Sequence, residues 1–307
     1  MSNIRERRAR RAANFKKTDE LYEEVGISIQ EELDDTEIIQ ETVAKNPKRK
    51  KVKKSLLQTE YDYQFMAKEF SQPNVAQQLG NYRSAMDFLT YINPPKKGKI
   101  VDRFKNIIYD FPNIDISSFA NIENARIYSW MLQQMEYNLG EKYLGAIYVL
   151  GGGMSILPAM ILDSGMRFET IRSVDINGTC QFLSDELMRD ELLNDWRFKS
   201  TTEDLFNVDY AEYNFSCRLQ DGRLSDPFKE IPGTIINTNV SYLKNYQDWY
   251  NMIPDMRRVI IVGQTGNVPK PFASSQAFNR KFPMNFEIYS GVLTVDDTQY
   301  YMKIGMK

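Results

Sequence analysis

The chain has 307 residues, 42% of them apolar, with 39 basic and 41 acidic side chains and a formal net charge of -2, which suits one large domain or a domain with appendages around a real core. It contains no histidine and two cysteines, Cys180 and Cys217; this excludes Ser-His-Asp and Cys-His nucleophilic catalysis, HExxH zinc sites and imidazole proton shuttles, and leaves neither a disulfide framework nor a metal set. No window approaches the roughly 18 unbroken apolar residues of a membrane span, and no apolar run near the first residue serves as a signal peptide, so a cytoplasmic protein without a membrane partner is expected.

Charge alternates in blocks along residues 1–54. Arg5, Arg7, Arg8, Arg10, Arg11, Lys16 and Lys17 face a single Glu6; residues 18–46 hold ten acids and one lysine; Pro47 to Lys54 carries six positive charges in eight positions. Such blocks bury no core, and residues 1–54 are expected to be a charged, disordered tail. Leu21, Val25, Ile29, Leu33, Ile38 and Ile39 recur at near-helical spacing among the acids, so the tail is either a solvated arm or a segment that becomes an amphipathic helix on a partner. The basic runs serve solubility or contact a nucleic acid or other anionic partner.

Residues 55–142 are predicted to form a helical region. Tyr61, Phe65 and Phe70, then Tyr82, Met86 and Leu89, then Ile127, Met131, Leu132 and Met135 make apolar stripes, broken at Pro73, Pro94, Pro95 and Pro112. These stripes read as core, in a helical layer that covers the mouth of the following fold. Asn121 is placed to cap the last of these helices.

From residue 143 to 307 strands and helices alternate. A strand (Ala146–Leu150) empties into Gly151, Gly152 and Gly153; a helix follows over Ile156–Asp163, then a strand over Thr170–Val174 ending on Asp175, and a helix from Gly178 to Leu193. Further strands are expected at Arg197–Thr201, Thr234–Asn237 and Val259–Val262, with a helix near Gln247–Met252. Alternation argues for a parallel sheet covered on both faces. Phe286–Val295, a turn at Asp296 and Asp297, and Gln299–Ile304 read instead as a closing antiparallel hairpin. The fold class is thus α/β: a doubly wound, mostly parallel, seven-stranded Rossmann-like sheet ending in that hairpin. In its opening β-α-β unit, glycines let the backbone turn tightly and approach a ligand, and an acid ending the second strand can accept hydrogen bonds from ribose hydroxyls.

The run Gly151-Gly152-Gly153-Met154-Ser155-Ile156-Leu157-Pro158, followed by Ser173-Val174-Asp175-Ile176-Asn177, Glu203-Asp204-Leu205-Phe206, Ile235-Ile236-Asn237-Thr238, Gly263-Gln264 and Tyr301-Met302-Lys303-Ile304-Gly305, resembles the class I S-adenosylmethionine-dependent methyltransferases. It looks most like a group encoded by tailed bacteriophages, with a more distant likeness to nicotianamine synthases. The resemblance covers roughly residues 143–305. It implies S-adenosylmethionine as cofactor, with Gly151 and Gly153 bordering the methionine moiety, Asp175 binding the ribose hydroxyls, Asp204 and Leu205 framing the adenine, Asn237 beside the transferred methyl, and Gly152 and Ile176 as further cofactor-binding residues. Asn237 and Tyr242 become the candidate catalytic residues, with Asn239, Gln264 and Asn267 as further polar groups nearby. The chain departs from the phage pattern after Asn-Thr, where those proteins continue into Ser-Cys-Glu-His and this one into Asn239, Val240, Ser241 and Tyr242.

The function so implied is a methyltransferase-like protein with an unknown methyl acceptor, which needs no acid or base because the sulfonium is already activated and alignment supplies much of the rate. A catalytically silent scaffold of a bacteriophage, binding a nucleic acid or protein through residues 1–54, is the alternative. An NAD-linked oxidoreductase shares the β-α-β start but is disfavoured by the hairpin.

Overall fold

The computed structural model of this chain describes residues 56–92, 97–192, 196–215 and 228–307. The charged blocks of the first 54 residues, the helix expected among them, Pro94, Pro95 and Cys217 lie outside the described residues. The chain divides into two compact units, 1–59 and 60–307; the second holds the sheet and the helices around it.

The helices are α1 (Leu56–Phe70), α2 (Val75–Tyr91), α3 (Lys97–Asp110), α4 (Ile122–Leu139), α5 (Ile156–Leu162), α6 (Gly178–Leu187), α7 (Arg189–Leu192), α8 (Tyr246–Met252) and α9 (Ser275–Lys281). The strands are β1 (Ala146–Leu150), β2 (Ile171–Asp175), β3 (Phe198–Thr202), β4 (Tyr213–Phe215), β5 (Phe228–Glu230), β6 (Pro232–Asn237), β7 (Arg258–Gln264), β8 (Phe286–Val295) and β9 (Thr298–Met306). Seven of these strands make one sheet in the order β3-β2-β1-β6-β7-β9-β8. The first five run parallel, and β9 enters antiparallel between β7 and β8. This is the mostly parallel sheet with a closing hairpin expected from the alternation of strands and helices.

The central strands are apolar on both sides because both faces are covered. One face carries Ile147, Val149, Ile171, Phe198, Ile236 and Ile260 into a core shared with the helical layer, where Phe88, Phe104, Ile108 and Met131 lie, and with α5 and α6. The other carries Tyr148, Val174, Ile235 and Ile261 onto Trp249 and Tyr250 of α8, Phe278 of α9, and Phe272 and Phe282. Trp249 and Tyr250 are packing residues. Helices α2 to α4 therefore share one continuous core with the sheet.

Three features differ from expectation. Phe65, Tyr82 and Met86 are exposed; α2 buries Asn81, Ala85 and Phe88 instead, so the sequence stripe and the buried face of this helix are offset by about a residue. The helix expected over Gly178–Leu193 breaks at Met188 into α6 and α7. The ribbon of β4 and β5 was not legible, and it is held to the sheet by Glu230. That carboxylate takes two parallel hydrogen bonds from Arg172 (Nε and a terminal nitrogen, both 2.9 Å), one from Tyr148 Oη (2.8 Å) and one from Thr170 Oγ1 (2.6 Å). Among the described residues no helix is long and apolar enough to cross a membrane.

Candidate functional site

The helix after β1, α5, packs on one face of the sheet, whereas the helix after β6, α8, packs on the other. Neighbouring parallel strands whose connections leave in opposite directions open a crevice at their carboxyl ends. Here it lies between Gly151 and Thr238, and Thr238 Oγ1 spans it to donate to the Gly151 carbonyl at 2.9 Å.

The turn after β1 is built from left-handed residues: Gly151 (φ 63°), Gly153 (φ 54°) and Ser155 (φ 62°). The three glycines have different duties. A β-carbon on Gly151 would meet only Thr238 Oγ1, at 3.5 Å, so this position faces the crevice. One on Gly152 would sit 2.4 Å from Ser173 Oγ, so its missing side chain lets the turn lie on β2. Gly153 is covered by the ring of Phe119, from the segment that leads into α4. Pro158 stands in the first turn of α5, where a backbone N–H has no helical partner to lose.

Asp175, at the end of β2, is fixed from two sides. Its Oδ2 accepts from the Gly153 amide and its Oδ1 from the Asn177 amide, each at 3.0 Å. A carboxylate offers about four acceptor positions; these two bonds and a third from Cys180 leave about one for a further donor. Cys180 also bonds to Asp175; burial first, then the carboxylate's charge and that bond, push its thiol up to about 12. Beside the acid, Ile176 is 73% exposed, an apolar surface at the mouth of the crevice.

Asp204 and Leu205 follow β3. Asp204 Oδ1 accepts from the Phe206 amide at 3.0 Å and caps the short turn over 205–207. The Leu205 carbonyl takes the Tyr210 hydroxyl at 2.7 Å, and Tyr210 in turn accepts from Trp249 Nε1 at 3.0 Å. Both residues thus sit on a third strand end beside Asp175.

Asn237 ends β6 and is only 3% exposed. Its Oδ1 accepts from the Asn239 amide, and Asn239 Oδ1 from the Ser241 amide, each at 3.1 Å. These side chains shape the loop after β6, while Tyr242 projects from it with 62% exposure. Burial first, then the bond from Tyr300 Oη to Glu123 Oε1 and that carboxylate's charge, push the Tyr300 phenol well above its ordinary value, with Tyr242 adding least. Gln264 is buried at the end of β7, where its amide donates to Ser241 Oγ at 2.9 Å.

Expected site residues from four strand ends therefore meet at one edge of the sheet. Phe119 over the glycine turn carries no sequence signal, because an aromatic residue in an irregular segment has no periodicity. Nor does the bond between Glu123 and Tyr300, 177 positions apart. Next to Phe119, a cleft of about 370 Å³ runs between α2 and the start of α4, lined by Ser84, Asp87, Ser117, Ala120, Asn121, Ile122 and Glu123.

No protein-family model matches the chain, and no curated protein is similar to it in sequence. Similar solved structures include TrmK of M. capricolum in complex with S-adenosylhomocysteine, at 12% identity over 58% of this chain and 68% of that one, with a TM-score of 0.38. The MccD protein is 9% identical over 58% of this chain and 96% of that one, with a TM-score of 0.42. A SAM-dependent methyltransferase from Aquifex aeolicus is 10% identical over 58% of this chain and 88% of that one, with a TM-score of 0.37. These likenesses are distant, and the functional reading rests on the site's own geometry.

Proposed function

We propose that the crevice binds S-adenosylmethionine and that the chain is an S-adenosylmethionine-dependent methyltransferase. The observation that carries this reading is Asp175, an acid at the end of the second strand whose carboxylate is aimed by the Gly153 amide and keeps an acceptor position for a ribose hydroxyl. The surroundings fit the group: Gly151 leaves the crevice wall bare, Ile176 offers an apolar surface beside the acid, and Asp204 with Leu205 closes the next strand end.

Bound there, S-adenosylmethionine would supply an activated methyl group on sulfur. The protein's task is alignment and exclusion of water, which needs no histidine. Asp175 would hold the ribose, with Ile176 as an apolar neighbour beside it, Asp204 and Leu205 would frame the adenine, and Gly151 would let the methionine portion approach the backbone. Asn237 stiffens the loop that presents Tyr242, the exposed hydroxyl on the acceptor side. Methyl acceptors would approach from the side of Tyr242 and the cleft beside Phe119.

Calorimetric titration of the full-length protein with S-adenosylmethionine, S-adenosylhomocysteine and NAD tests the proposal. Micromolar binding of the first two, at least tenfold weaker in Asp175→Ala with the fold intact, is the expected result. No binding to folded protein, or a preference for NAD, overturns it.

A further inference from the structure

Behind the glycine turn three hydroxyls stand in a buried row, each on a different element: Ser155 in the turn, Ser173 on β2 and Ser184 on α6. Ser155 Oγ lies 2.8 Å from Ser173 Oγ and 2.7 Å from Ser184 Oγ, and Ser184 Oγ donates to the Gly153 carbonyl at 3.0 Å. A hydroxyl has one proton to give. Since that of Ser184 goes to Gly153, the proton of Ser155 goes to Ser184 and that of Ser173 to Ser155. The relay therefore has one direction and ends on the glycine turn.

It ends beside the group that matters. The carbonyl of Gly153 is held by Ser184, and its amide is held by Asp175 Oδ2. Both peptide groups flanking the Gly153 α-carbon are thereby fixed, and with them the direction from which the Asp175 carboxylate is engaged. Ser155 has a φ of 62°, a conformation in which glycine pays less than any side chain. What serine adds there is the hydroxyl that joins the other two.

We infer that Ser155, Ser173 and Ser184 are positioning residues that set Gly153 and, through it, the orientation of the Asp175 carboxylate toward its ligand. The ligand half of this inference rests on the S-adenosylmethionine reading above; the backbone half does not.

Two measurements on the full-length chain separate the halves. The first is the affinity for S-adenosylhomocysteine of wild type, Ser155→Gly, Ser184→Ala and Ser173→Ala. The second is amide hydrogen exchange of the peptide spanning residues 150–156, read without ligand and compared with the global unfolding midpoint. Ser155→Gly is the informative variant, because it relieves the backbone while removing the relay. We expect its affinity to fall tenfold or more, with that of Ser184→Ala, and exchange at 150–156 to rise at least tenfold in both variants while the rest of the sheet stays protected. If Ser155→Gly binds like wild type and exchanges no faster, the relay is overturned and the serines are packing residues. If wild type itself binds no S-adenosylhomocysteine, the ligand reading fails, and the exchange rates alone decide whether the relay holds the turn.

Discussion

Phe119 sits so close to Gly153 that a β-carbon on the glycine would come within 2.9 Å of its ring. The segment before α4 and the turn after β1 are thus fitted to each other, and the ring is one wall of the site. Phe119→Ala should lower affinity for S-adenosylhomocysteine several-fold while costing about 1–2 kcal/mol of stability, less than a fully buried phenylalanine because the ring is only half-buried. Calorimetry paired with urea unfolding separates the two effects.

The neighbouring glycines should respond differently to the same substitution. Gly152→Ala drives a methyl into Ser173 Oγ, and a crowded buried position of this kind costs about 1–3 kcal/mol. Gly151→Ala makes only an ordinary contact with Thr238 Oγ1 but keeps a left-handed φ, at a cost of about 1–2 kcal/mol. Ligand titration should then show that Gly151→Ala, on the crevice wall, loses more affinity per unit of stability lost.

Arg172 and Glu230 form a largely buried, two-pronged ion pair. Glu230→Ala strands the guanidinium and should destabilise the protein by about 3–5 kcal/mol, whereas replacing both residues by methionine should cost less, since the penalty lies mainly in the unpaired charge. Urea midpoints of the single and double variants decide this.

Cys180 gives a pH dependence. Its thiol rises from 9.0 to about 12 on folding, through burial first and the Asp175 charge second. A raised pKa in the folded state means that its stabilising contribution is complete below pH 9, declines as pH climbs from 9 and is gone above about 12. Tyr128, raised from 10.0 to about 12 mainly by burial, adds a loss beginning nearer pH 10. In a Cys217→Ser background, Cys180→Ala should flatten the fall in urea midpoint between pH 9 and 10; an unchanged slope there would remove the thiol from the account.

The sheet was readable because its signals are local and redundant. β1 is apolar at every position, the glycines mark its end, and the length and alternation of 286–306 leave little besides a hairpin. The candidate site was readable only as strand ends: Asp175 could be named because it closes an apolar strand, yet the Gly153 amide that aims it depends on a turn whose third left-handed residue is a serine. The face of α2 was misread because Tyr82 and Met86 satisfy helical spacing as well as Ala85 and Phe88 do, and periodicity alone does not say which stripe meets a neighbour. Glu230 escaped notice because its three partners lie 58 to 82 positions earlier in the chain.

The segment bearing Phe119 is tied at close intervals. Asn124 Nδ2 donates to the Phe119 carbonyl at 2.9 Å, Asn121 Oδ1 accepts from the Asn124 amide at 2.8 Å, and Tyr300 holds Glu123 one turn further on. A wall fastened in this way has little conformational freedom left to surrender when a ligand arrives, so association should carry a small ordering entropy and a fast, single-step onset. The loop carrying Tyr242 is fastened as well, since Ser241 accepts from the backbone amides of Gln264 and Lys270, each at 2.9 Å, which would make both sides of the crevice a preformed receptor in which only the exposed Tyr242 ring is left to adapt.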